Sequence, residues 1–380
     1  MALSIIKKKF EFTVEIPVSL YIHFPWCLKK CPYCDFYSKT TDKIPQKEYA
    51  KALIADFKKS QHLLQNRKIE SVFFGGGTPS LMACDSLESF LNVIFPFLKE
   101  NAEITLEANP GAAEYENFEF YKTIGINRIS LGVQSFDDNI LKSLGRIHSS
   151  KQAQNALSEI NKNFKNFNID LMLVLPNQNV KILENDLKTA LSFHPKHLSL
   201  YRLTIENGTA FEKKLPQLPD ENMAENIELQ AIQTMAENNF NHYEISAYAK
   251  NGFECRHNLN YWQFGDYLGI GVGAHSKITF KQNIFRFVRS ANIQNYLNGD
   301  FVLEKNKVEN IPLEFLMNVF RLDAPFSFDF FECRTGLKIE SILKTLQQAE
   351  NQKLITITDN QIQTTLLGKG FLNRLLLLFA

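Results

Sequence analysis

The chain has 380 residues, long for one small domain and short for three, so one large domain with an appendage is expected. A composition 44% hydrophobic and 22% charged fits a globular protein with a substantial core and argues against a disordered chain. With 42 basic against 41 acidic residues the net charge is +1, without the basic surplus of a dedicated nucleic-acid binder.

The first segment, MALSIIKKKFEF, is basic but has neither a long apolar run nor a small-residue cleavage site, so no secretory signal is expected. The longest apolar run, LLLLFA at the other end, is too short to cross a bilayer. A cytoplasmic setting follows as the expectation, and there thiols stay reduced. Strand-like runs then appear at residues 19–24, 70–74, 103–108, 128–134, 169–174, 197–203 and 243–248. Helical patterns lie between them, as at residues 46–65 and 86–100. Repeated strand–helix alternation predicts an α/β fold with a parallel sheet and right-handed crossovers. More than five such units over about 250 residues fit a full or partial (β/α) barrel of TIM type better than an open doubly wound sheet. From residue 301 the character changes to helix, helix, hairpin and helix, with Asp359-Asn360 as the hairpin turn. The expected domains are therefore 1–300, the barrel, and 301–380, a small α+β unit of winged-helix type. DNA binding by that unit is not expected from its unremarkable charge.

The chemistry is concentrated after the first strand, in HFPWCLKKCPYCDFYS. Cys27, Cys31 and Cys34 have the spacing C-x3-C-x2-C, with Phe36 where a further cysteine could stand. Zinc with His23 as fourth ligand is one reading, although structural zinc usually joins two separate cysteine pairs and no second pair exists here. An iron–sulfur cluster on three thiolates, leaving one iron open to another ligand, is the other. The spacing favours the second and leaves both open. Cys84, Cys255 and Cys333 are scattered singly and are expected to be packed thiols. The second strand runs into FFGGGTPS, where Gly75, Gly76 and Gly77 permit close backbone approach to a ligand and Thr78 adds a hydroxyl.

Together YIHFPWC, FFGGGTPS, EANPG, NRISLGVQSFDDNILKSLGRIH and IDLMLVLPNQ resemble the radical S-adenosylmethionine (SAM) superfamily, from about residue 19 to the C-terminus. The similarity is to the branch containing oxygen-independent coproporphyrinogen III oxidase. It implies a [4Fe–4S] cluster on Cys27, Cys31 and Cys34, with SAM on the open iron. It also implies SAM contacts for Tyr21, Tyr33, Gly76, Gly77 and Thr78, a carboxylate at Glu107, and further contacts from Gln134 and Arg146. Asp170 would bind ribose hydroxyls. Two departures stand out: Asp35-Phe36 replaces the oxidase's glycine and cysteine, and Val174 replaces a glycine, which would alter the pocket wall.

The first departure, with CPYCDFYS, HLSLYRLTIENGT, YEISAYA, HNLNYW and GDYLGIGVGAHSK, is similar instead to the heme-chaperone branch of the same family. That resemblance implies heme binding and transfer to an acceptor protein, and an electron donor for the cluster, rather than decarboxylation of coproporphyrinogen III. In RHNLNYW, read as a loop near the barrel mouth, His257 is the candidate heme ligand, with Tyr261 and Trp262 against the macrocycle. Cys255 and His275 are rival ligands, and His275 would alternatively belong to the SAM site. Peripheral membrane association and a homodimer stay open at this point.

Overall fold

The computed structural model describes residues 15–41, 43–111, 117–281 and 283–380; the basic segment 1–12 lies outside the described residues. Six strands run parallel in chain order: β1 (Val18–Phe24), β2 (Ile69–Gly76), β3 (Leu98–Ala108), β4 (Arg128–Gln134), β5 (Phe167–Leu173) and β6 (His197–Arg202). Helices separate them, including Gln46–Ser60, Cys84–Ile94, Ser150–Asn163 and Val180–Ser192. The result is an open parallel sheet of the partial (β/α) barrel kind. β1 and β4 are buried along almost their whole length because helices cover one face and the barrel interior lies on the other. Helix Ser150–Asn163 shows how the cover is built: Ala153, Ala156, Leu157 and Ile160 form one apolar stripe, and Ser149 with Gln152 closes a capping box at its start.

The strand expected over 243–248 is a hairpin instead. β7 (Asn241–Glu244) and β8 (Ala247–Ala249) are joined by Ile245 and Ser246, and β8 adds antiparallel to β6. A two-residue connection can only join antiparallel strands, so on this side the parallel series ends at β6. On the other side β9 (Asp266–Ile270) pairs parallel with β1, followed antiparallel by β10 (His275–Phe280), β11 (Asn283–Arg289) and β12 (Val302–Lys307). β12 carries the sheet past the boundary expected at residue 300. The helix expected over 86–100 ends at Ile94, and β3 begins at Leu98.

A second apolar cluster, with Phe315, Phe331, Leu346, Ile362 and Leu375 at its centre, holds the C-terminal helices against a three-stranded sheet. Its hairpin turns at Asp359 and Asn360, both with positive φ, as a tight two-residue turn between twisted strands requires. No helix among the described residues is long and apolar enough to cross a membrane.

At the start of β9, Asp266 is fully buried and ion-paired to both Arg67 (2.7 Å) and Lys277 (3.1 Å). Thr279 adds two further donors to its carboxylate, at 2.8 and 2.9 Å. These contacts cross up to 199 residues of sequence and fasten β9 to the segment before β2.

Candidate functional site

Two cavities occupy the barrel interior. The upper one, of about 160 Å3, lies at the carboxyl ends of the strands, where barrel enzymes place their chemistry. Its wall brings together Cys27, Cys31, Cys34 and Tyr33 with Gly76, Gly77, Thr78, Glu107, Gln134, Arg146 and Asp170. Thus all but two of the expected site residues meet there. Tyr21 and His257 line a second cavity, of about 370 Å3, deeper in the barrel. Phe36, Gly76, Glu107, Ser130 and Asp170 belong to both walls, so the two are contiguous.

The cysteine loop is held at its base by a short parallel bridge between Trp26–Cys27 and Lys39–Thr40. Inside it the Cys34 N–H donates to the Cys31 carbonyl at 3.1 Å. All three cysteines are free thiols, and burial pushes Cys27 and Cys34 above the usual thiol range. Among the described residues no group of three His, Cys, Asp or Glu side chains stands ready to hold a metal ion. His23 is no fourth ligand as it stands, because its Nδ1 meets the Tyr21 hydroxyl and its Nε2 the Tyr37 carbonyl, each at 2.9 Å. The donor set remains three thiols on one cavity wall, none in a disulfide, which suits a thiolate-bound cluster with one position left to another ligand.

The glycine run packs directly beneath this loop. A Cβ on Gly77 would lie 2.3 Å from the Trp26 carbonyl oxygen, so no other residue fits without moving the backbone. The N–H groups of Gly77 and Thr78 donate to Phe24 and Trp26 carbonyls at 2.7 and 2.8 Å. The Gly76 N–H donates to Glu107 at 3.3 Å, and the Thr78 hydroxyl accepts from Asn109 at 2.8 Å. The first job of these N–H groups is therefore to join β2 to the cysteine loop.

The other polar groups are positioned by strand alternation. On β4, Arg128, Ser130, Gly132 and Gln134 share the inward face, as Asn168 and Asp170 do on β5 and His197, Ser199 and Tyr201 on β6. Gln134 sits at a bulge with φ +72 and accepts from the Tyr201 hydroxyl at 2.6 Å. A non-glycine residue in that region beside a cavity is strain of the kind found at functional sites. The Arg146 guanidinium donates to the Gly132 carbonyl at 2.6 Å and to Asn109, and reaches within 3.7 Å of Cys31 Sγ. Asp170 accepts from Asn168 and Ser130, at 2.7 and 3.2 Å.

Asn109, Ser130 and Tyr201 were not singled out from sequence. Asn109 lies within the quoted EANPG, and the other two carry the same period-two signal as their neighbours. Val174, expected to alter the pocket wall, is 1% exposed and faces neither cavity. Its φ of +58 is the conformation that a glycine adopts without strain.

Burial, and next the charge of Asp170, pushes the Glu107 carboxyl up to about 8. At pH 7 it is therefore mainly protonated in the folded chain. Between about 4.5 and 8 the native state keeps a proton that the unfolded chain has released, so this group makes stability fall as pH rises through that window. Glu107→Gln is expected to flatten that part of the profile in denaturant titrations at fixed pH steps; an unchanged slope would remove Glu107 as its source.

RHNLNYW is not a loop at the mouth. Arg256–Trp262 is a helix, and the Glu103 carboxylate accepts from the Arg256 N–H at 3.0 Å and the His257 N–H at 3.5 Å. Glu103, the central residue of β3, pairs with Ser71 near the start of β2, so the helix closes the deep end of the barrel. His257 is 2% exposed, stacks on Phe73 at 4.9 Å, and its Nδ1 meets the Ser71 hydroxyl at 3.3 Å. Its Nε2 has no hydrogen-bond partner among the described residues. Burial lowers the imidazole to about 3, so it is neutral across physiological pH. Trp262 does not line the deep cavity, whereas Tyr261 does. Cys255 lines it too, its thiol pushed up to about 12 by burial, while His275 is exposed and faces neither cavity.

Comparison with known proteins bears on the whole chain. Residues 21–190 match the model of the radical SAM superfamily and residues 307–371 that of the HemN C-terminal domain. The chain is 43% identical to heme chaperone HemW of Buchnera aphidicola subsp. Schizaphis graminum over 369 residues, covering 96% of this chain and 98% of that protein. It is 44% identical to heme chaperone HemW of Haemophilus influenzae, with the same coverage. Among solved structures, coproporphyrinogen III oxidase (HemN) of Escherichia coli superposes with a TM-score of 0.81 at 20% identity, over 96% of this chain and 90% of that one, which establishes the shared fold. With near-complete coverage at this identity, the chain belongs to the HemW family within the radical SAM superfamily.

Proposed function

We propose that this chain is a heme chaperone: it binds heme, passes it to an acceptor protein, and carries a [4Fe–4S] cluster on Cys27, Cys31 and Cys34 with exchangeable SAM. The observation that carries the reading is the pair of contiguous cavities, one walled by three free thiols and the other by a neutral imidazole whose Nε2 has no partner among the described residues. When bound, the cluster supplies one iron open to SAM and a route for an electron from a donor protein. Arg146 and Gln134, each anchored by other side chains or backbone, orient polar groups of the cofactor. The protonated Glu107 offers a hydrogen bond without placing a second full negative charge beside Asp170. Tyr21, Phe73 and Tyr261 give the deeper cavity aromatic walls, and His257 Nε2 is the atom free to bind iron.

The test is an anaerobic titration of reconstituted protein with heme, beside a coproporphyrinogen III turnover assay with SAM and reductant. Heme binding without protoporphyrinogen formation is the expected result, with His257→Ala weakening heme binding and shifting its Soret band while the iron–sulfur absorbance stays unchanged. Turnover to protoporphyrinogen would make the chain an oxidase. Unchanged heme affinity and spectrum in the variant would make His257 a packing residue.

A further inference from the structure

The deeper cavity holds a cation that heme ligation by His257 leaves without a task. Arg128 opens β4, is 1% exposed and lines that cavity. Among the described residues its Nε has no hydrogen-bond partner and no carboxylate stands at ion-pair distance from it. The acidic groups in its neighbourhood are Glu103, Asp170 and Glu107, and the last is mainly protonated at pH 7. Glu103 accepts from the N–H groups of Arg256 and His257 and lies 3.6 Å from Cys255 Sγ. Asp170 is taken up by Asn168 and Ser130.

A guanidinium cannot shed its charge to escape burial, so an unpaired one in an interior is costly unless a ligand supplies the anion. Its planar fork matches a carboxylate in two parallel hydrogen bonds. Neutral groups of the same wall, Asn168, His197, Ser199 and Tyr261, line the cavity without competing as anions.

We propose that Arg128 is a carboxylate subsite of the deeper cavity and pairs with a propionate of the tetrapyrrole. The assignment rests on the heme reading and adds to it the group that recognises the acidic edge of the macrocycle. In that arrangement Arg128 fixes the orientation of the ring about the His257 iron bond.

The test compares iron protoporphyrin IX with its dimethyl ester, which keeps the ring and iron and removes both carboxylates. Wild-type protein is expected to bind the free acid roughly 30-fold more tightly, the scale of a charge-assisted bidentate contact in a buried site. In Arg128→Met the preference should fall to near unity, while resistance to denaturant stays level or rises because an unpaired buried charge has gone. The wild-type comparison alone decides the matter if that variant does not fold. Equal binding of acid and ester by wild type overturns the subsite, as does a preference that survives in Arg128→Met. Failure of wild type to bind either porphyrin is a different pattern and overturns the heme reading together with the subsite.

Discussion

Replacing Cys27, Cys31 or Cys34 singly by Ala is expected to leave no stable iron–sulfur cluster after anaerobic reconstitution, whereas Cys84→Ala and Cys333→Ala keep it. The argument combines chemistry and position. The three thiols share one cavity wall, none is in a disulfide, and His23 has both ring nitrogens engaged elsewhere. Nothing nearby therefore substitutes for a lost thiolate. Cys255 is no reserve, since it lines the deeper cavity and not the upper one, with its thiol held protonated to about 12. Neither Cys84 nor Cys333 lines either cavity. Iron and sulfide measured per chain, with the visible absorbance of the cluster, read the outcome. Uptake of zinc without sulfide by the wild type, or retention of full iron by any of the three variants, would sink the assignment. The effect on SAM binding should follow the cluster, because the open iron is the position proposed for that ligand.

The largest expected loss of stability comes from Asp266→Ala. This carboxylate is fully buried and holds Arg67 and Lys277, which are themselves almost wholly buried. Removing one partner of such a group strands the others, at a cost of about 3–5 kcal/mol. Burial by itself would raise the carboxyl, but Lys277 and then Arg67 outweigh it and hold Asp266 below its ordinary 3.8. A depressed carboxyl contributes stability that is fully present above the unfolded value and is lost as pH falls through the folded one. The wild type should therefore lose this contribution only at strongly acid pH, and Asp266→Ala should lack it at neutral pH. Urea midpoints of the two proteins at pH 7 measure the difference. A shift worth less than about 1 kcal/mol, the scale of an exposed pair, would show that water reaches the group.

Much of the candidate site was legible in the sequence because strand chemistry is local. Six runs of β-type residues separated by helical periodicity specify parallel strands, and the segments that follow them carry the cysteines and glycines to one end. The same period of two marks Arg128, Ser130 and Gln134 as one face. The turn at Asp359-Asn360 is likewise local, since those residues tolerate positive φ.

What only the tertiary structure decided is where long-range partners meet. RHNLNYW has no internal signal for the deep end of the barrel; Glu103, over 150 residues earlier, draws it there by accepting its first N–H groups. YEISAY reads as one strand because Ile245 is apolar, yet the chain reverses at that point to cap the edge of β6. The N–H groups of Gly77 and Thr78 are spent on the Phe24 and Trp26 carbonyls, a pairing set by strand order and not by composition. Arg128 is inward by periodicity, but that it is buried without an anion depends on how Glu103 and Asp170 are occupied by other chains of contact. Periodicity assigns a side chain to a face; the charge balance of that face is a sum over segments far apart in sequence, and only packing them together fixes it.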